Sequence, residues 1–151
     1  MDILVKKEKI FDNIVAVSGT KKEAIRTISR LCAKQTMLDA TQLEEAFWKR
    51  EEWDSTGCGE GIAIPHAIIK EIDEVQLFIV RFRYPIEWES FDDKKVDIAF
   101  AIIAPEEKRQ EKYLVFLPRL ARKLVDEKFI ANFRNCRSTE AVYQYVKNEL
   151  E

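Results

Sequence analysis

The 151-residue sequence predicts an α/β fold, a mixed β-sheet covered by helices within a single domain spanning residues 1–151. Three observations point there. Val96 to Ile103 is an almost wholly apolar run, the pattern of a central strand covered on both faces. Val75 to Phe82 is rich in β-branched and aromatic residues and reads as a second long strand. Segments of helical period alternate with these strands, and two of them open on a T-x-x-E capping pattern, at Thr20/Glu23 and Thr41/Glu44.

In chain order, Asn13 to Val17 reads as a first strand, turned by Ser18-Gly19. Ala24, Ile25, Ile28, Leu31 and Cys32 then recur at helical spacing, which predicts an amphipathic helix over 20–34. Leu43, Ala46 and Phe47 mark a second helix over 40–52. A glycine-rich stretch, Gly57 to Gly61, leads into a brief apolar strand at 62–65. Beyond the Val75–Phe82 strand, Tyr84 to Trp88 reads as a bend and a short edge strand. Pro105 is expected to stop the central strand and open a helix through Tyr113, Leu117, Leu120 and Leu124. Pro118 should kink or split that helix. A short helix over 127–134 follows, and Ser138 caps the last one.

Composition excludes several classes. The 25 basic and 27 acidic residues are well mixed, so no basic footprint for nucleic acid stands out. No apolar run approaches the length that spans a bilayer, and Met1 to Lys7 is charged too soon for a signal peptide. Three widely spaced cysteines, Cys32, Cys58 and Cys136, fit free thiols in the cytoplasm better than a disulfide framework or a zinc site.

The chemistry gathers in Gly57 to Ala67, which holds three of the four glycines and the only histidine, His66. Imidazole titrates near neutrality, so one ring nitrogen is a free nucleophile at pH 7 while the other holds a proton for a backbone carbonyl. Pro65 restricts the approach of the chain to that ring. Gly57, Gly59 and Gly61 are turn glycines, or they let the backbone approach an anion or a partner closely. Ser55 and Thr56 suit a phosphate's oxygens or are ordinary turn residues. Arg50, Arg81 and Arg83 are the nearest guanidinium groups, which match a phosphoryl group's geometry, and the residues alone do not choose among them. Cys58 with His66 raises a cysteine hydrolase, but no accompanying acid or asparagine motif supports it. The three tryptophans, Trp48, Trp53 and Trp88, read as core or rim packing.

Arg50-Glu51, Ser55-Thr56-Gly57, Gly59 and Gly61-Ile62-Ala63-Ile64-Pro65-His66-Ala67 together resemble the signature of the enzyme IIA components of the phosphoenolpyruvate-dependent sugar phosphotransferase system. The branch is the fructose/mannitol type, which includes galactitol-like and nitrogen-regulatory relatives. The resemblance implies a cytoplasmic phosphocarrier without metal or cofactor. In it, His66 takes a phosphoryl group on Nε2 from phosphorylated HPr and passes it to a cysteine of an enzyme IIB, which serves a membrane permease, enzyme IIC. It implies no nucleic-acid partner and no insertion in the membrane. Arg50 becomes the preferred phosphate partner, with Ser55, Thr56 and the glycines 57, 59 and 61 around it. Many members carry a second histidine in the helix after the apolar strand; the matching residue here is Tyr113, a hydrogen-bond donor without positive charge. The alternative role is a regulatory module whose phosphorylation state controls binding to a regulator or transporter.

Overall fold

The computed structural model describes residues 5–106 and 111–150, the side chains of 111–114 excepted. Among these residues a six-stranded mixed sheet is built from β1 (Ile10–Ile14), β2 (Gly57–Gly59), β3 (Ile62–Ala63), β4 (His66–Ile69), β5 (Gln76–Ile86) and β6 (Val96–Pro105). Five α-helices cover it: α1 (Lys21–Thr36), α2 (Ala40–Trp53), α3 (Glu111–Leu124), α4 (Glu127–Arg134) and α5 (Thr139–Leu150).

β6 is the strand on which the sheet is assembled. It pairs antiparallel with β5 on one side. On the other it pairs parallel with β3 through its first half and with β4 through its second. β1 adds parallel to β5, and β2 closes the far side as an antiparallel hairpin with β3. Side chains of a strand alternate between faces, and β6 shows what that does. Ile98, Phe100, Ile102 and Ala104 pack into a core with α3, α4 and α5. Ala99, Ala101 and Ile103 pack into a second core with Ile25, Ile28, Leu43 and Phe47 of α1 and α2. The apolar run is therefore covered on both faces, as its composition predicts.

The helix starts follow local chemistry. Thr20 Oγ1 accepts from Glu23 N at 3.2 Å, and Ser138 Oγ accepts from Ala141 N at 3.0 Å. The start of α2 differs from expectation: the cap is Asp39, which accepts from Gln42 N at 2.9 Å, and Thr41 lies inside the helix. The first strand lies earlier than Asn13–Val17. Asn13 takes a left-handed backbone (φ 55), the ladder shifts register between Phe11 and Ile14, and Val15 and Val17 are left exposed. Tyr84 to Ile86 is no separate edge strand but the end of β5, beyond a register shift between Arg81 and Ile86. Pro105 ends β6 as expected, and the way the chain then enters α3 lies outside the described residues. Pro118 does not split α3, because Phe116, Leu120 and Leu124 seat both of its halves in one core.

Candidate functional site

The apolar strand expected at 62–65 is two strands, β3 and β4, broken at Ile64-Pro65. Pro65 has no N–H to give a ladder. Its carbonyl accepts from Ile102 N at 2.9 Å, which keeps the break pressed against β6, and Ile64 N donates instead to Thr56 O at 3.0 Å. His66 therefore opens β4, opposite Ile102. Ala67 and Ile69 are buried beneath α1 and α2, so His66 and Ile68 point to the other side, where His66 is partly buried and Ile68 is partly exposed. The imidazole Nδ1 is buried.

α2, which carries Arg50, packs against β4. Arg50, Trp53, Lys49, Lys70 and Glu106 line an open cleft of about 960 Å³ that also includes Ile68, the residue sharing a face with His66. The guanidinium of Arg50 donates to Asp54 O at 2.7 Å and lies 5.1 Å from the Trp53 ring centroid. Trp53 does not pack in the core or at its rim; it is 80% exposed. Arg81 is committed elsewhere, to an ion pair with Asp12 and to Cys136 O at 2.7 Å. Arg83 sits over the Tyr84 ring. Of the three arginines, Arg50 is the one on the cleft. Tyr113 lies in α3, and its side chain lies outside the described residues.

The hydroxyls and glycines have partners within the chain. Thr56 is buried, and both its N–H and its hydroxyl donate to Glu51, at 2.9 and 2.7 Å. Ser55 Oγ donates to Glu89 O at 2.7 Å. A Cβ on Gly57 would lie 2.2 Å from Glu89 O, and one on Gly59 would meet the Phe91 ring at 2.5 Å. Gly61, with φ 79, gives up its Cβ space to Arg134, which pairs with Asp97. The space around the glycine run is thus filled by this chain's own atoms, and the run's task here is to let the β2–β3 hairpin pack against 89–91 and Arg134.

One residue that residue-type reasoning did not single out organises this turn. Glu51 is 4% exposed on the last turn of α2 and collects donors from Thr56, Lys21 and Trp88. Lys21 bridges on to Glu89 at 2.7 Å and holds its carboxyl below the usual carboxylate range. The one clue in the sequence is an acid flanked by Arg50 and Glu52 that falls on the buried side of the helix, four residues from Phe47.

Burial pushes the Cys58 thiol up to about 11, and it raises Cys32 further. At neutral pH Cys58 then holds on the order of a hundredfold less thiolate than a free cysteine. Iodoacetamide at pH 8 should modify Cys58 correspondingly slowly, followed by mass spectrometry of the intact folded protein; reaction at the rate of free cysteine would show that the thiol is activated after all.

Comparison with known proteins agrees with this architecture. The family described as "Phosphoenolpyruvate-dependent sugar phosphotransferase system, EIIA 2" matches residues 3–149. The chain belongs to that family. The nitrogen regulatory protein of Escherichia coli K12 is 36% identical over 129 residues, covering 84% of this chain and 78% of its own. Among solved structures, nitrogen regulatory protein IIA-Ntr from Neisseria meningitidis superposes with a TM-score of 0.85 at 24% identity, over 95% of this chain and 96% of the other. Enzyme IIA mannitol of Escherichia coli, in its complex with phosphorylated enzyme IIB mannitol, gives 0.72 at 21% identity, over 93% and 95%. These two likenesses concern the fold. They agree with the mixed sheet covered by helices, and the family is the one that the Arg50-to-Ala67 pattern resembles. Among the described residues no helix is long and apolar enough to cross a membrane.

Proposed function

We propose that this enzyme IIA-type protein is a phosphocarrier working through His66. The observation that carries the reading is the ring's setting: Nδ1 buried, the residue partly buried at a proline break in the sheet, two residues along β4 from Ile68, which lines the cleft that holds Arg50. The lone pair of Nε2 attacks the phosphorus of a phosphohistidine on HPr. The new N–P bond forms as the donor's N–P bond breaks. In the second transfer a cysteine thiolate of an enzyme IIB attacks the same phosphorus, the Nε2–P bond breaks, and His66 is restored. Such a transfer asks for positioning and charge compensation rather than covalent help. Arg50 supplies the charge by leaving Asp54 O for the phosphoryl oxygens. Ser55 and the backbone around Gly57, Gly59 and Gly61 act by shaping the turn. Tyr113 is proposed as a neutral donor toward the phosphate. A cytoplasmic setting accords with three free thiols.

The relatives called nitrogen regulatory protein favour a second reading of the phosphoryl group's fate. In it, phosphorylation of His66 switches binding to a regulator or transporter instead of feeding sugar uptake. Incubation with enzyme I, HPr and labelled phosphoenolpyruvate tests the common core: one phosphoryl group per chain is expected, and no uptake by the folded wild type would end the proposal. Adding enzyme IIB then separates the fates. Discharge onto its cysteine supports uptake, and retention of the label supports regulation.

A further inference from the structure

We propose that Glu51 is the positioning residue of the transfer site, fixing where His66 stands relative to Arg50. The inference rests on His66 being the phosphoryl carrier. Its physical content is a chain of short bonds. The Glu51 Oε2 atom accepts from Thr56 N at 2.9 Å, Trp88 Nε1 at 3.1 Å and Lys21 Nζ at 3.2 Å, and Oε1 accepts from Thr56 Oγ1 at 2.7 Å. A buried carboxylate is costly unless its lone pairs are met, so these donors are held in place by the charge they satisfy. Thr56 is gripped at both N–H and hydroxyl, which leaves its carbonyl pointing in one direction. That carbonyl accepts from Ile64 N at 3.0 Å.

Ile64 directly precedes Pro65-His66, at the point where the sheet is interrupted and no strand partner holds this N–H. The proline ring then narrows the backbone choices of Ile64 itself. Pro65 O is pinned from the opposite side by Ile102 N. The break that presents His66 is therefore clamped between β6 and the Glu51–Thr56 unit. Glu51 is also the neighbour of Arg50 on α2. One carboxylate thus ties the helix that carries the arginine to the strand that carries the histidine, without touching the reacting atoms.

A residue that only stabilised the fold would change melting and leave the folded protein's rate alone. A positioning residue changes the rate itself, because displacement of about 1 Å at a transfer site costs on the order of 10²-fold. With phospho-HPr as donor, at a temperature where each variant is folded, Glu51→Ala should lower the maximal labelling rate roughly tenfold or more, with KM for phospho-HPr within about twofold. Glu51→Gln keeps an acceptor for Thr56 N and should fall by only about threefold. Thr56→Val should lower the rate as well, and its effect should be less than additive with Glu51→Gln, since both act through one link. Amide exchange at Ile64 should quicken in step with the loss of rate. A folded Glu51→Ala that labels at the wild-type maximal rate, or whose defect lies wholly in KM, overturns the proposal while the carrier reading stands. If Glu51→Ala does not fold, wild-type rates in both Glu51→Gln and Thr56→Val overturn it equally. A wild type that takes no label removes both.

Discussion

His66→Ala is expected to fold like the wild type and to take up no phosphoryl group, a loss of at least about 10³-fold. The chain has no other histidine, so no second imidazole can stand in. The stability cost should be modest, about 1 kcal/mol, because the residue is only partly buried and the backbone of β4 is held by β6 whatever side chain stands there. Loss of labelling with an unchanged melting curve would therefore isolate the chemistry from the fold. The measurement is label incorporation together with the acid lability and alkali stability expected of an N–P bond. Undiminished labelling of His66→Ala would overturn the assignment. Cys58 is a poor substitute, since burial holds its thiol well above neutrality.

What the sequence shows of this molecule depends on how far apart the interacting residues lie. Thr20 with Glu23, Ser138 with Ala141 and the 127–134 helix were legible, because a cap and its helix are within a few residues of each other. The β6 run was legible because burial on both faces leaves a mark in composition alone. Thr41 fits a capping pattern in the sequence, but Asp39, two residues earlier, offers the same chemistry and accepts the Gln42 N–H. The shift of β1 was hidden because a left-handed Asn13 interrupts an alternation that otherwise continues through Val15 and Val17.

The candidate site divides in the same way. The His66 setting and the Arg50 pattern lie within one short stretch and could be recognised there. The groups that occupy Thr56 and the glycines come from Glu51, Glu89, Phe91 and Arg134, and nothing local in 55–61 names them. Residues that look like an open phosphate cradle in the sequence are, in the fold, the inner wall of a packed turn.

Packing of this kind makes Gly57→Ala the severest small substitution in the region. Its Cβ would lie 2.2 Å from Glu89 O, 3.1 Å from Glu89 C and 3.2 Å from Ser90 Cβ. The first two are backbone atoms, so no rotamer change relieves the clash. The Glu89 carbonyl is also the acceptor of Ser55 Oγ, and Glu89 follows Trp88, whose indole donates to Glu51. Making room for one methyl group therefore means pulling the 88–90 segment away from the turn and loosening the bonds that arrange it. Overpacking against backbone costs about 1–3 kcal/mol, and the strained hydrogen bonds bring the expected total to roughly 3 kcal/mol. Against a whole-domain stability on the order of 5–15 kcal/mol, that lowers the melting temperature by roughly 6–12 °C. Gly19→Ala is the matched control: its backbone is left-handed (φ 66), yet the new Cβ would meet only Pro85 O, at 3.6 Å. It should cost about 1 kcal/mol, the strain of a non-glycine residue in that conformation. Denaturant titration of the two variants beside the wild type gives the comparison. Equal losses would mean that the Gly57–Glu89 approach relaxes freely. A loss two to three times larger at Gly57 would show that this contact is rigid, and that the turn behind His66 tolerates no added atom on its inner side.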